Sequence, residues 1–386
     1  MLSCGHWCSW RQVGALTRVD FVASDAVMAL ATPTDQRRDS TLDEATASKA
    51  SMSARGWATL LSSYREPRST RSIFELAITV TAFCLAWAVM WGALGYGYWL
   101  TLLFALPTAG LLLRLFVLQH DCGHGSFYRS RAVNDWVGRI LGTVTLTPYD
   151  SWRGSHNAHH ASSGNLDERG FGDIDTLTVR EYLALPRFRQ LRYRAYRHPL
   201  MMFGIGPAYL FLIRHRLPIG SLRKGWMPWI TTMATNAVTA ALIVGMIWLV
   251  GAGPFVLVQL PVVLLAASMG VWLFYVQHQF KETVWAEDSK WNLHEAALHG
   301  SSHYDLPAIL RWFTGNIGVH HVHHLCSRIP FYRLPEVLRD HPNLVGTSLL
   351  TIRESFSSVR LTLWDEDLNQ LISFRDLQKR PNVAGP

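Results

Sequence analysis

Charge is scarce in this chain. Aspartate, glutamate, lysine and arginine make up 17% of its 386 residues, against about a quarter in ordinary soluble domains. A hydrophobic fraction of 49% and 16 tryptophans accompany that scarcity, which excludes an ordinary soluble enzyme. Paired cysteines are missing too. Cys4, Cys8, Cys84, Cys122 and Cys326 are scattered without a framework, so nothing argues for disulfides or an oxidising compartment. There is no basic–apolar–cleavable leader, which speaks against secretion. No internal repeat and no nucleotide fingerprint of the G-x-G-x-x-G kind is present. The formal net charge is +8, but no RNP, zinc-finger or homeodomain-like pattern accompanies it, so nucleic acid is not the partner.

What the chain does have is long apolar runs. Residues 73–94, 98–118, 230–250 and 255–276 each reach membrane length, about 32 Å of helix against a hydrocarbon core of about 30 Å. Charge inside them is limited to Glu75 in the first and Arg114 in the second. Arg114 stands near the end of its run, where it is expected to snorkel to the interface. Pro107 and Pro261 are expected to kink their helices, which a bundle tolerates. Very short links at 95–97 and 251–254 make each pair a tight helical hairpin. Every lysine and arginine except Arg114 lies outside the four runs, so the positive-inside rule puts both termini and the long middle segment in the cytoplasm. Two shorter apolar stretches, 136–147 and 199–213, read as interfacial or re-entrant helices. Residues 1–50 read as a disordered or over-called N-terminal extension, with Met28 the more natural start. The fold class expected is an all-α membrane protein: four transmembrane helices in two hairpins, capped by a cytosolic helical domain from 119–229 and 277–345. Residues 346–386 are expected as a C-terminal cytosolic tail, leaving 51–345 as the functional domain.

Histidines cluster at the edges of these runs. His120 and His124 are spaced i, i+4; His156, His159 and His160, and then His320, His323 and His324, are each spaced i, i+3, i+4. On a helix such positions share a face, so all eight can point at one centre, while His321 sits about 100° off that face. His278, directly after the fourth run, is a plausible ninth ligand. A lone histidine on an apolar face is more often a satisfied core residue than a ligand, but three clusters with repeated ligand spacing favour a metal. Zinc is satisfied by four ligands and its structural sites usually recruit cysteine. Imidazole suits iron, and so many imidazoles suit two irons with a position open for O2. A haem protein would bury its axial histidines within the spans, and a metal transporter would need ligands at mid-membrane; neither pattern is present. Asp121, Asp173 and Asp175 lie beside the first two clusters, where a carboxylate can take the outer N–H of a ligand; capping or solvated acids are the plain alternative. His294, His299 and His303 precede the third cluster and are not expected to ligate.

These residues carry a specific resemblance. The segments HDCGHGSF from His120, PYDSWRGSHNAHH from Pro148, GVWLFYVQHQF from Gly270 and RWFTGNIGVHHVHHLCSRIPFYRL from Arg311 resemble membrane-bound fatty acid desaturases, in particular their bacterial and cyanobacterial Δ12 (ω-6) acyl-lipid branch. The resemblance runs with gaps from about Gln119 to Leu334. It implies a four-helix bundle whose cytosolic domain holds a non-haem di-iron centre, with ligand and catalytic roles on His120, His124, His156, His159, His160, His278, His320, His323 and His324. It also implies an oxidoreductase using O2 to put a cis double bond into a fatty acyl lipid, in a bacterial inner membrane. One departure stands out. The acyl-CoA branch carries an asparagine four residues before the isolated histidine, contributing through water; here that position is Phe274.

Removing hydrogen from an unactivated methylene needs an oxidant stronger than any side chain, so a metal must supply the chemistry and the protein the position. No His-Pro-Gly-Gly motif of a fused cytochrome b5-like domain is present. Electrons are therefore expected from a separate donor, a ferredoxin first and a cytochrome b5-like protein second. Arg187, Arg189, Arg192, Arg194 and Arg197 form a basic stretch that could dock an acidic donor or lipid phosphates. Two other readings compete: a hydroxylase, epoxygenase or ketolase on the same di-iron platform, and, from another class, a metal or haem transport protein.

Overall fold

The structure, a computed structural model, describes residues 53–170, 173–219 and 225–380. The expectation for residues 1–50, including Cys4 and Cys8, lies outside them. After a short helix α1 (Ala54–Leu61), the chain enters α2 (Ser69–Leu94) and α3 (Tyr98–His124), an antiparallel pair. Both form because uninterrupted apolar sequence leaves the backbone no partner in lipid but itself. Their link turns on Gly97, whose φ of 147° favours glycine. Beyond them, α4 (Arg131–Val144) and α5 (Tyr149–Ser162) begin the cap. The cap continues through β1 (Leu177–Thr178), α6 (Val179–Ala184), α7 (Arg187–Tyr196) and α8 (Gly206–Leu212), the last entered through a π-helical turn at Met201–Ile205. A second apolar hairpin follows, α9 (Met227–Val250) and α10 (Ala252–His278).

Among the described residues four helices are long and apolar enough to cross a membrane, α2, α3, α9 and α10. α3 is the most enclosed. Its small residues Thr101, Ala105, Thr108, Ala109 and Gly110 are buried and let neighbours approach closely. Apolar side chains such as Ile73, Leu85, Leu103 and Val244 face outward, as a lipid-solvated surface requires, and Tyr96, Trp99 and Trp248 ring the hairpin ends. α4 exposes Val133, Trp136 and Ile140 at helical spacing, and the stretch into α8 exposes Ile205, Tyr209 and Ile213. Both fit the interfacial role expected of 136–147 and 199–213.

Several expectations need correction. Arg114 does not snorkel. It is buried, paired with Glu75, held by Thr79 Oγ1 at 3.0 Å, and donates to the Trp312 carbonyl. The helix runs ten residues past it, and in lipid a charge is cheaper paired than alone. α3 and α10 also extend beyond the hydropathic limits of 118 and 276, to His124 and His278; these last turns have poor intrinsic helix propensity and are held by hydrogen bonds that tie Gln119, Asp121, Cys122 and Gln277 to distant segments. Residues beyond 345 are no free tail. After α11 (Leu293–His299), β2 (His303–Asp305), α12 (Ala308–Phe313), α13 (His320–Leu325) and α14 (Leu334–Asp340), strand β3 (Leu349–Thr351) pairs in parallel with β2. Then α15 (Ile352–Ser358) leads to β4 (Leu363–Asp365) and β5 (Gln370–Ile372), a hairpin whose first strand pairs in parallel with β1; α16 (Phe374–Gln378) closes the described chain. Trp364 is buried there against Trp285, rings 5.4 Å apart. The fold is thus mostly helical, with strands of only two or three residues stitching the cap.

Arg197 also departs from the basic stretch expected at a surface. It is buried, its guanidinium bonding the Thr176 and Tyr275 hydroxyls, Gln279 Oε1 and the Leu361 carbonyl. Arg194 lies over Phe374 and donates to the Tyr182 hydroxyl. Arg187, Arg189 and Arg192 remain exposed on α7.

Candidate metal centre

Four helices present the clustered histidines. The last turn of α3 carries His120 and His124; α5 carries His156, His159 and His160; α10 ends on His278; and α13 carries His320, His323 and His324. Tertiary ties hold these helices together near the rings. Gln119 donates to the Thr147 carbonyl at 3.1 Å and accepts from Thr145, locking the approach to α5 onto α3. Tyr149, the first residue of α5, donates to the Cys122 carbonyl at 2.9 Å. It packs so closely on Gly138 of α4 that a Cβ there would meet the tyrosine ring at 2.2 Å. Asp121, between the two histidines of α3, accepts the Phe331 amide at 2.7 Å and so ties α3 to the chain after α13.

The nine histidines converge in two groups. His120, His124, His156, His160 and His323 form one; His159, His278, His320 and His324 form the other. Within each group one ring nitrogen per residue lies within 4.8 Å of all the others. Nε2 atoms face each other at 3.0 Å for His124–His156 and His278–His320, and 3.1 Å for His159–His278, His156–His160 and His160–His323. The stacked rings of His160 and His324, 4.0 Å apart, stand between the groups.

Burial pushes His156, His160, His320, His323 and His324 well below the ordinary histidine range, and neighbouring imidazoles push them further the same way. These rings are therefore neutral at ordinary pH, and the neutral imidazole is the form that binds a metal cation. A metal about 2.1 Å from each imidazole nitrogen places adjacent ligands at right angles about 3.0 Å apart, which the spacing matches. The donor set fits metal cations bound by imidazole nitrogen, with five candidate ligands in one group and four in the other.

The surrounding carboxylates sort themselves. Asp173 hydrogen-bonds His159 Nδ1, turning Nε2 inward. Asp121 lies 3.4 Å from His120 Nδ1, too long to orient it strongly, and spends its other oxygen on Phe331. Among the described residues Asp175 has no hydrogen bond to a histidine; burial and then the nearby Asp173 raise its carboxyl above the usual range. His321 is buried but turned away, its Nε2 3.0 Å from the Leu344 carbonyl, and burial followed by the nearby His303 lowers it to about 3. His303 Nδ1 donates to the Val345 carbonyl at 2.6 Å, and His299 is half-buried beside Glu295. Neither these nor His294 join either group.

Two aromatic neighbours escaped the histidine-spacing argument. Trp152 stacks on His156 with ring centres 4.7 Å apart, a partner that i, i+4 spacing on α5 could have indicated. Phe274 packs 5.1 Å from His159 and 5.2 Å from His278, so an apolar ring fills the side where the acyl-CoA branch carries asparagine.

Known proteins resemble this chain along most of its length. The family model described as fatty acid desaturase matches residues 97–356. The chain is 41% identical over 326 residues to the fatty acid desaturase of Bacillus subtilis (strain 168), covering 84% of this chain and 92% of that protein. It is 30% identical to the sn-1 oleoyl-lipid 12-desaturase of Picosynechococcus sp., over 71% of this chain and 79% of that protein. It is 29% identical to the sn-1 acyl-lipid omega-3 desaturase (ferredoxin) of Nostoc sp., over 80% and 83% respectively.

Proposed function

The chain belongs to the fatty acid desaturase family, an oxidoreductase by that membership, and from this premise we propose that it introduces a cis double bond at the Δ12 (ω-6) position of a fatty acyl lipid. The single observation that carries the chemistry is the pair of inward-facing imidazole groups at the membrane end of α3 and α10. The nine histidines hold two non-haem irons in this reading. When bound, the irons supply O2-dependent oxidising power: each double bond consumes O2, two electrons and two protons and releases two waters.

This chain's own residues do the rest. His159, held by Asp173, keeps one tautomer and one orientation. Trp152 and Phe274 pack against the rings of His156 and His159 and give the centre apolar walls. The apolar surface around α3 and α10 delivers a hydrocarbon chain, and the choice among near-equivalent methylenes becomes a matter of which carbon is held closest. The Δ12 assignment is supported by the printed activity of the Picosynechococcus relative and by the sequence resemblance. The electron donor is a separate protein, a ferredoxin first, a choice supported by the absence of a nucleotide motif and by the printed name of the Nostoc relative. The distribution of lysine and arginine supports a topology with the histidine centre facing the cytoplasm, in this reading of a bacterial inner membrane.

Expression in a bacterium with a ferredoxin reductase system, followed by gas chromatography–mass spectrometry of total fatty acids, tests the reading. A new cis diene from oleate, made only in air, is expected. Hydroxy or epoxy acids as the main product, or a bond mapped elsewhere, would contradict it.

A further inference from the structure

A cavity of about 310 Å³ opens between the start of α2 and α14, lined by Arg68, Arg71, Tyr332, Pro335, Glu336 and Arg339. We propose that this cavity binds the phosphodiester headgroup of a membrane glycerophospholipid, holding the lipid whose acyl chain enters the histidine centre. The proposal rests on the desaturase reading for its purpose, but not for its chemistry.

Three guanidinium groups line the cavity against one carboxylate. That carboxylate, Glu336, is already matched by Arg68 at 2.9 Å and by Arg333 at 3.1 Å. Arg71 pairs with Glu75, whose other oxygen is taken by Arg114. Arg339 is exposed and has no acidic partner among the described residues. The cavity therefore carries surplus positive charge, from the side chain best suited to a phosphate. The N-terminus of α2, a 26-residue helix, reinforces it, since Arg68 at the cap position makes no side-chain capping bond.

Location identifies which phosphate. One helical turn further along α2, Ile73 and Phe74 are exposed on the lipid-facing surface, and the Arg71 guanidinium lies 5.4 Å from the Phe74 ring centre. A group bound here thus sits at the level where lipid headgroups lie. The cavity is also tied by hydrogen bonds to segments next to the first histidine pair. Its Tyr332 hydroxyl is 3.0 Å from Ser72 Oγ, which donates to the Phe127 carbonyl, three residues past His124. The neighbouring Phe331 amide reaches Asp121 on α3.

The test uses the full chain in detergent micelles with dioleoylphosphatidylglycerol as probe, dioleoylglycerol as the phosphate-free control and oleoyl-CoA as the other phosphate-bearing donor. Binding is read by native mass spectrometry and turnover separately. Arg339→Gln should weaken phosphatidylglycerol binding about tenfold, the loss of one charge-assisted contact, and raise KM more than it lowers kcat. Dioleoylglycerol binding should stay unchanged, and Arg339→Lys should recover part of the loss. Equal iron content and melting temperature in both variants verify folding. Unaltered phosphatidylglycerol binding in Arg339→Gln and in Arg68→Gln/Arg339→Gln overturns the proposal. So does a loss confined to oleoyl-CoA. If binding falls in the variants while wild type makes no diene, the headgroup site stands and the desaturation reading fails; normal diene formation with unaltered binding gives the converse.

Discussion

His159 on α5 and His321 on α13 belong to the same histidine-rich cap, yet their surroundings predict opposite behaviour. His159 Nε2 faces His278 and His324 at 3.1 and 3.3 Å, and its outer nitrogen meets Asp173. His321 points to the Leu344 carbonyl and joins neither nitrogen group. His159→Ala should therefore lose product and lower bound iron, whereas His321→Ala should keep iron and measurable activity. Plasma mass spectrometry of iron per chain, alongside fatty acid analysis, decides it; equal losses would refute the orientation of α13. Asp173→Asn is expected between them. It keeps a hydrogen-bonding side chain but gives up the charge on His159, and a second-sphere change of this kind costs about ten- to a hundredfold in metal affinity. A chelator titration would read that shift, and wild-type iron retention would remove Asp173 from the site.

At the scale of elements, the helices that leave the membrane and the short strands of the cap do different work. α3 and α10 continue as single helices from lipid into the histidine centre, so rigid rods carry His120, His124 and His278. The cap has no such rods and relies on stitching. β4 joins β1 beside the segment that carries Asp173, and Tyr193 donates its hydroxyl to the Thr362 carbonyl at 2.6 Å. Trp364 is 1% exposed at the middle of that stitch. Trp364→Ala should cost about 3–5 kcal/mol of stability, as large aromatic deletions in packed interiors do, and loosen the Asp173 segment with it. A lowered melting temperature in detergent with reduced iron retention is expected; an unchanged melting curve would mean the C-terminal strands are dispensable.

At the scale of the whole molecule, the centre concentrates buried neutral imidazoles where a cation belongs, and this sets the response to acid. In an unfolded chain a histidine protonates near 6.5. In the fold His156, His160, His320, His323 and His324 protonate only well below that, with burial the leading cause. Below about pH 6.5 the unfolded state binds more protons, so stability present above that pH is lost progressively as pH falls. Metal-free protein should show a falling melting temperature from about pH 6.5 downward, and metal-loaded protein should release iron over the same direction of change. A His156→Ala/His160→Ala variant should flatten the slope, and a slope that does not respond would place the acid sensitivity elsewhere. By itself the sequence determined the four membrane helices, their hairpin pairing and the histidines of the centre, because hydropathy and i, i+4 spacing are local properties written residue by residue. Only the tertiary structure decided that Glu75 pairs with Arg114, that Asp173 rather than Asp175 serves His159, that Arg197 is buried, and that Arg68 and Arg339 share a cavity. It also placed the chain beyond 345 in the cap through strands too short to leave a periodic signal. Each of these joins residues far apart along the chain, and packing of distant segments is what chooses partners that local pattern leaves open.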